Sequence, residues 1–215
     1  MIKINRLKVI PVFIVMFLFL LPISYLDAAS VRAVSMDELL QQSQFVFEGT
    51  VTGIEAKENN QKRIHTYVTF NISEIIKGEY ADNVITLRFL GGTVGDNSMS
   101  VSDQRIPQVG EQGIYFVESL DRFQVNPFYG WSQGHFILQR DLSGARRVLT
   151  NRGLPVRGVI DNNQRNMIAP EEVSAQPLSN GVATSIMVGT EKNVENGMTA
   201  DDFKTILRQK RGNSK

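Results

Sequence analysis

One short stretch carries residue types that could do covalent chemistry. Gly130-Trp131-Ser132-Gln133-Gly134 matches G-x-S-x-G, the pattern that sets a serine nucleophile on a tight strand-to-helix turn, with an acid and then a histidine later in the chain. The context here differs. The residues after the motif, His-Phe-Ile-Leu-Gln, are patterned as a strand, and the only histidines are His65 and His135. His135 stands three positions after Ser132 and no histidine follows it, so the order Ser-acid-His is not available. The motif reads as a turn entering a strand. No catalytic residue is assigned and the chain is not expected to be an enzyme; a secreted hydrolase using Ser132 is the alternative.

Metal chemistry has few donors to draw on. Two histidines and no cysteine cannot complete the common zinc sets without carboxylates, even if His65 and His135 met across strands. Asp96 and Asp103 sit in an oxygen-rich loop but lack the D-x-D-x-D-G spacing of a calcium loop. Glu171-Glu172 and Asp201-Asp202 fall in a linker and at a helix start, where they are solvated or complement the helix dipole. No phosphate-cradling G-x-x-x-x-G-K-[ST] occurs. No metal and no cofactor is expected.

The remaining cluster is Pro127-Phe128-Tyr129-Gly130-Trp131, which holds the only tryptophan. Aromatic side chains on a loop between strands can stack on sugars, bases or peptides, or they can plug the open end of a small barrel. On the first reading the binding residues are Tyr129, Trp131 and Gln133, with Gly91 and Gly92 at the end of a neighbouring strand.

The elements that would position these residues are mostly strands. Ser35-Met-Asp-Glu38 has the form of a capping box and opens a short helix ending near Ser43. Residues 44–56 then alternate in strand fashion, with Gly49 and Gly53 marking a bend or bulge. Ile64 to Ile76 is the clearest strand: Ile64, Thr66, Val68, Phe70 and Ile72 face one way, and His65, Tyr67, Thr69, Asn71 and Ser73 the other. Asn83 to Leu90 is a third strand, stopped by Gly91-Gly92. Further strands are expected at 114–118, 123–125, 135–139 and 147–150. Short strands without intervening helices predict an all-β barrel or sandwich, and the glycine bends favour a barrel. Residues 151–198 lack a sustained period and read as loop or linker. Phe203, Ile206 and Leu207 give residues 199–210 the apolar side of a short amphipathic helix, which could dock on the barrel or on a partner.

The amino terminus has a different character. Lys3, Arg6 and Lys8 precede an apolar run from Val9 to Leu21 interrupted only by Pro11, and small residues follow at Ala28, Ala29 and Ser30. This is the pattern of a secretory signal over residues 1–30, cut between positions 29 and 33. The run is short for a bilayer span, which needs about 20 residues, so no stable membrane span is expected after cleavage. Cleavage removes three bases and one acid from the 23 Lys+Arg and 22 Asp+Glu of the chain, leaving a net charge of −1. A nearly neutral protein lacks the field that draws phosphate backbones, so nucleic acid is not an expected partner. With no cysteine, neither a disulfide nor a lipid anchor on cysteine is available, and the core must hold the fold alone.

Several short pieces recur here in a particular order: Phe47-Glu-Gly49-Thr-Val51, Lys77-Gly78, Gly91-Gly92, Gly110-Glu111 before Ile114–Val117, and Gln133-Gly134-His-Phe136. Over roughly residues 35–140, with a helix like that at 199–209, the chain resembles a group of exported bacterial domains of unassigned function. Those domains look like the OB-type barrel of netrin modules and of tissue inhibitors of metalloproteases. The resemblance implies a fold and carries little function. Those inhibitors reach the protease zinc with an N-terminal cysteine, which this chain lacks; a protease-inhibitor-like module acting by surface insertion is a further alternative. The expectation is therefore an OB-like, closed or partly open five-stranded barrel over residues 35–150 with a short helix at each end. It is exported to the periplasm or beyond the cell, and binds a protein or small ligand of the envelope.

Overall fold

The computed structural model describes residues 31–160 and 179–213. The leader expected at 1–30 lies outside these residues, as does the middle of the expected linker.

Ser35 opens helix α1 (Met36–Gln42): its Oγ accepts from Glu38 N at 3.1 Å, and Met36, Leu39 and Leu40 are buried. Glu38 does not return the bond as a full capping box would; its carboxylate takes Arg32 and the Tyr129 hydroxyl. Lys77 satisfies the other end of α1, its Nζ donating to Gln41 O at 3.1 Å and Ser43 O at 2.7 Å. Cations at a helix carboxyl end are favoured by the dipole and by the orphan carbonyls.

Strands β1 (Phe45–Glu58), β2 (Ile64–Lys77), β3 (Val84–Leu90), β4 (Gly92–Val94), β5 (Asn97–Met99), β6 (Gln112–Val117), β7 (His135–Arg140), β8 (Arg146–Thr150), β9 (Val156–Val159) and β10 (Ile186–Val188) follow. Helix α2 (Ala200–Asn213) closes the described chain. The main sheet is antiparallel with six strands in the order β3-β2-β1-β6-β7-β8. It has one strand more than the five-stranded expectation, because β8 pairs on β7. β4 with β5, and β9 with β10, form two small separate ribbons. Among the described residues no helix is long and apolar enough to cross a membrane.

The sheet carries a core on each face, while the second face of β2 and β3 stays partly open to solvent. One face carries an aromatic cluster of Phe45, Phe47, Phe70, Phe89, Tyr115 and Phe128 with Val51, Val68, Ile85, Leu87 and Val117. The other packs Val46, Ile114, Phe116, Phe136, Leu138 and Val148 against α1 and α2. Residues 113–117 of β6 are buried on both sides, which is why Gly-Ile-Tyr-Phe-Val reads as an unbroken apolar run.

Two local devices fit one sheet to two cores. Gly49 and Gly113 are directly opposed across β1 and β6, and so are Phe47 and Tyr115. Each ring lies over a glycine: a Cβ on Gly49 would come 2.9 Å from the Phe47 ring, and one on Gly113 would come 2.7 Å from Tyr115 Cζ. The second device is in β2. Glu48 pairs with Glu74 but Gly49 pairs with Ile72, so Ser73 is one residue too many, and its Oγ donates to Glu48 O at 3.1 Å. Such a bulge re-aims the side chains beyond it. Even-numbered residues up to Ile72 face the aromatic cluster, whereas Glu74 and Ile76 face the helices.

Residues 151–160 and 179–198, expected as loop, contain β9 and β10, and Val156, Ala183 and Ile186 join the helix-side core. Strands of three or four residues are too short to show a period. α2 docks on its own domain: Ala200, Phe203 and Leu207 are buried, and the Phe203 ring sits 5.0 Å from that of Phe136. Lys204, buried between Glu48 (2.7 Å) and Glu74 (2.8 Å), ties the helix to β1 and β2; Arg146 also bonds Glu48, and Arg208 also bonds Glu74.

Candidate functional site

The residues from Pro127 to Gln133 divide between core and surface. Phe128 is the plug: it is 1% exposed and packs on Phe89, Tyr115 and His135 in the aromatic cluster. Tyr129 packs on the helix-side core and its hydroxyl donates to Glu38 Oε1 at 2.8 Å. Gln133, predicted as a binding residue, is 1% exposed. Its Oε1 accepts from Val34 N (2.9 Å), while its Nε2 donates to Arg32 O (2.9 Å) and Gly130 O (3.1 Å). The first two bonds hold the segment before α1 against the turn and the third closes the turn itself, so Gln133 is a structural pin.

Trp131 is different. It belongs to neither core cluster and is half-exposed. It opens a one-turn 3-10 helix (Trp131–Gly134) with φ +56°, directly after Gly130 at φ +65°. A bulky residue in the left-handed region is strained, and such strain persists only where the surroundings impose it. The indole lines a narrow crevice with Val31, Asp103, Ser132, Arg152 and Gly181. Ser132 Oγ donates to Asp103 O at 2.7 Å and is followed by strand β7 rather than a helix. The hydroxyl is thus tied to the 100–108 loop.

Gly91 and Gly92 terminate β3 and turn the chain into the β4–β5 ribbon. Their φ angles of +97° and +133° suit glycine, and a Cβ on Gly92 would collide with Thr66 Oγ1. Thr66 Oγ1 donates to Gly91 O at 2.7 Å and seals the bend. The two glycines border a shallow groove of about 330 Å3 whose far side is the 98–108 segment, including Arg105. Gly91–Gly92 and Trp131 therefore lie on two sides of the same loop, which Ser132 holds at Asp103 and Leu90 holds at Gln104 (Nε2 to Leu90 O, 2.7 Å).

From this loop's half-exposed Arg105 a polar chain runs inward that the sequence reading did not find. Arg105 donates to Glu111 at 3.1 Å, and Glu111 Oε1 lies 2.6 Å from His135 Nε2. Burial pushes the Glu111 carboxyl up, but the bonds from His135 and Arg105 outweigh it and hold the group at about 2. Burial lowers the fully enclosed His135 against the pull of Glu111. The imidazole is then neutral near pH 7, and since an ionised carboxylate only accepts, the proton on His135 sits on Nε2. Among the described residues, His135 Nδ1 and the Tyr115 hydroxyl have no protein partner. The signal was Gly110-Glu111 ahead of an apolar strand, together with a histidine at the start of the next; nothing in the spacing showed that they pair.

His65 and His135 are not brought together: His65 is half-exposed on β2, whereas His135 is buried in the aromatic cluster. Among the described residues no three His, Asp or Glu side chains are grouped as a metal site. The fold and site define a β-rich domain built on a six-stranded antiparallel sheet, with a strained surface tryptophan beside a pinned loop. Compared with known proteins, the chain matches no family model, no curated protein and no solved structure.

Proposed function

We propose that this chain is an exported, non-catalytic binding module that meets a protein or small ligand of the cell envelope through Trp131 and the adjoining 100–108 loop. The carrying observation is the placement of Trp131. The sole tryptophan is kept out of both cores and held at a positive φ on a turn, while Phe128 fills the interior position it could have taken. A rigid, half-exposed indole offers a large stacking surface at low entropic cost. The groove at Gly91–Gly92 extends the surface on the other side of the loop. The bonds from Ser132 to Asp103 and from His135 to Glu111 give each group a structural task, in keeping with a non-catalytic role. The leader-like residues 1–30 support export, and the opposed Gly49–Gly113 pair across β1 and β6, together with the register shifts along the long β1–β2 hairpin, supports an OB-type, partly open barrel.

The test is Trp131→Ala. The variant should keep the wild-type circular dichroism spectrum and thermal midpoint but lose the molecules that co-purify with the wild-type chain from the envelope fraction, identified by mass spectrometry. An unfolded variant, or one that retains the same co-purifying molecules, overturns the reading.

A further inference from the structure

We infer that the cleft between the outer face of β2–β3 and the 119–127 turn is a second binding site, separate from the Trp131 turn, that takes a small aromatic carboxylate. The cleft has a volume of about 160 Å3, and its charged lining consists of Arg88 and Arg122 with no carboxylate. Its walls are aromatic: Tyr67, Tyr80 and Phe123.

The arginines are set up for an anion. Tyr67 and Arg88 are directly opposed across β2 and β3, and both line the cleft. Its Cζ sits 3.7 Å above the centre of the Phe123 ring. Phe123 is 79% exposed, a large apolar surface spent on the outside of the protein. Arg88 Nε is buried and, among the described residues, has no hydrogen-bond partner. A buried donor left unpaired is costly, and an ion restores the bond. The acid nearest in sequence to Arg122, Asp121, is engaged elsewhere by Gln44 Nε2 at 3.1 Å. Lys57, 5.6 Å from the centre of the Tyr67 ring, already has Glu55 at 2.8 Å.

This combination selects a ligand class. A planar guanidinium matches a carboxylate in a two-pronged fashion. The aromatic walls favour a flat apolar body attached to that charge. The volume is small beside the several hundred Å3 of most ligand pockets, which limits the body to about one ring.

The experiment is an amide-shift NMR titration of the full chain as recovered after export, with benzoate, benzamide and inorganic phosphate as probes. Benzoate should give saturable shifts confined to residues 85–88 and 119–124, and benzamide and phosphate should each bind at least about tenfold more weakly. Arg122→Gln, on an exposed turn where it cannot upset the core, should weaken benzoate at least about tenfold. Phe123→Ala should weaken it severalfold. Absence of saturable shifts, shifts elsewhere, equal binding of benzamide or phosphate, or wild-type affinity in Arg122→Gln would each overturn the proposal.

Discussion

Replacing Lys204 by methionine tests how α2 is held. Lys204 is the cation at the centre of a mostly buried cluster, with side-chain exposures of 6% for Lys204 and 7% for Glu48. Its Nζ serves Glu48, Glu74 and the exposed Asp201, while Arg146 and Arg208 supply the outer positive charges. Methionine keeps the length and the apolar stem, so the loss is one of charge. Removing one partner of a buried pair costs about 3–5 kcal/mol, chiefly because the other charge is left behind. Here Glu48 keeps Arg146 and Glu74 keeps Arg208, which places the expected loss near about 3 kcal/mol. For a domain of this size that is a fall in Tm of about 6–12 °C. Urea unfolding followed by Trp131 fluorescence and by circular dichroism measures it. The double variant Lys204→Met with Glu48→Gln should recover at least about 1.5 kcal/mol, because the stranded charge is removed with its partner. A single variant as stable as the wild type, or a double variant whose losses simply add, refutes the account.

Three further outcomes follow from the same physics. Acid should unfold the protein in two stages. His135, lowered in the folded state, adds stability that is complete above its unfolded pKa of about 6.5 and declines below it; Glu111, held at about 2, adds stability lost as pH falls from about 4.5 toward 2. In Glu111→Gln the lower stage should shrink in a plot of unfolding free energy against pH, leaving the part owed to Asp141, which the bonds from Ser143 and Arg147 also hold at about 2. Gly113→Ala should cost about 3 kcal/mol in urea unfolding, since a Cβ would stand 2.6 Å from Phe136 O, a backbone atom that cannot step aside. Ser132→Ala should leave stability within about 1 kcal/mol by the same assay, because its one bond, to Asp103 O, lies at the surface.

What could be read from the sequence depended on how far a single face decided each residue. β2 and β3 alternate apolar and polar side chains, and their limits of Ile64–Lys77 and Val84–Leu90 lie close to those the pattern predicts. The Ser35 cap of α1 and the apolar side of α2 were equally legible, because each is a local signal of a few residues. The phase change at Ser73 was not, since an extra residue in a strand leaves no mark in composition. The short pieces Lys77-Gly78, Gly110-Glu111 and Gln133-Gly134 show no role of their own in a linear reading. In three dimensions Lys77 caps α1, Glu111 holds His135, and Gln133 pins the segment before α1. Their partners lie 24 to 101 positions away, beyond any local pattern. Among the aromatics, spacing could not separate Phe128 from Trp131; only the left-handed turn at Gly130–Trp131 sends one inward and the other out.

The extra residue in β2 makes this strand a ruler. Upstream of Ser73 the count assigns side chains to one interior, and downstream to the other. A deletion of any single residue from Val68 to Ile72 would therefore swap tenants, sending Glu74 among the phenylalanines and Ile75 toward the acid-base cluster around Lys204, whereas loss of Ser73 itself would leave both where they are. Length changes among descendants of this chain should accordingly gather in turns such as 59–62 and 141–145, and the strand between should keep its number of residues even where every exposed side chain has drifted.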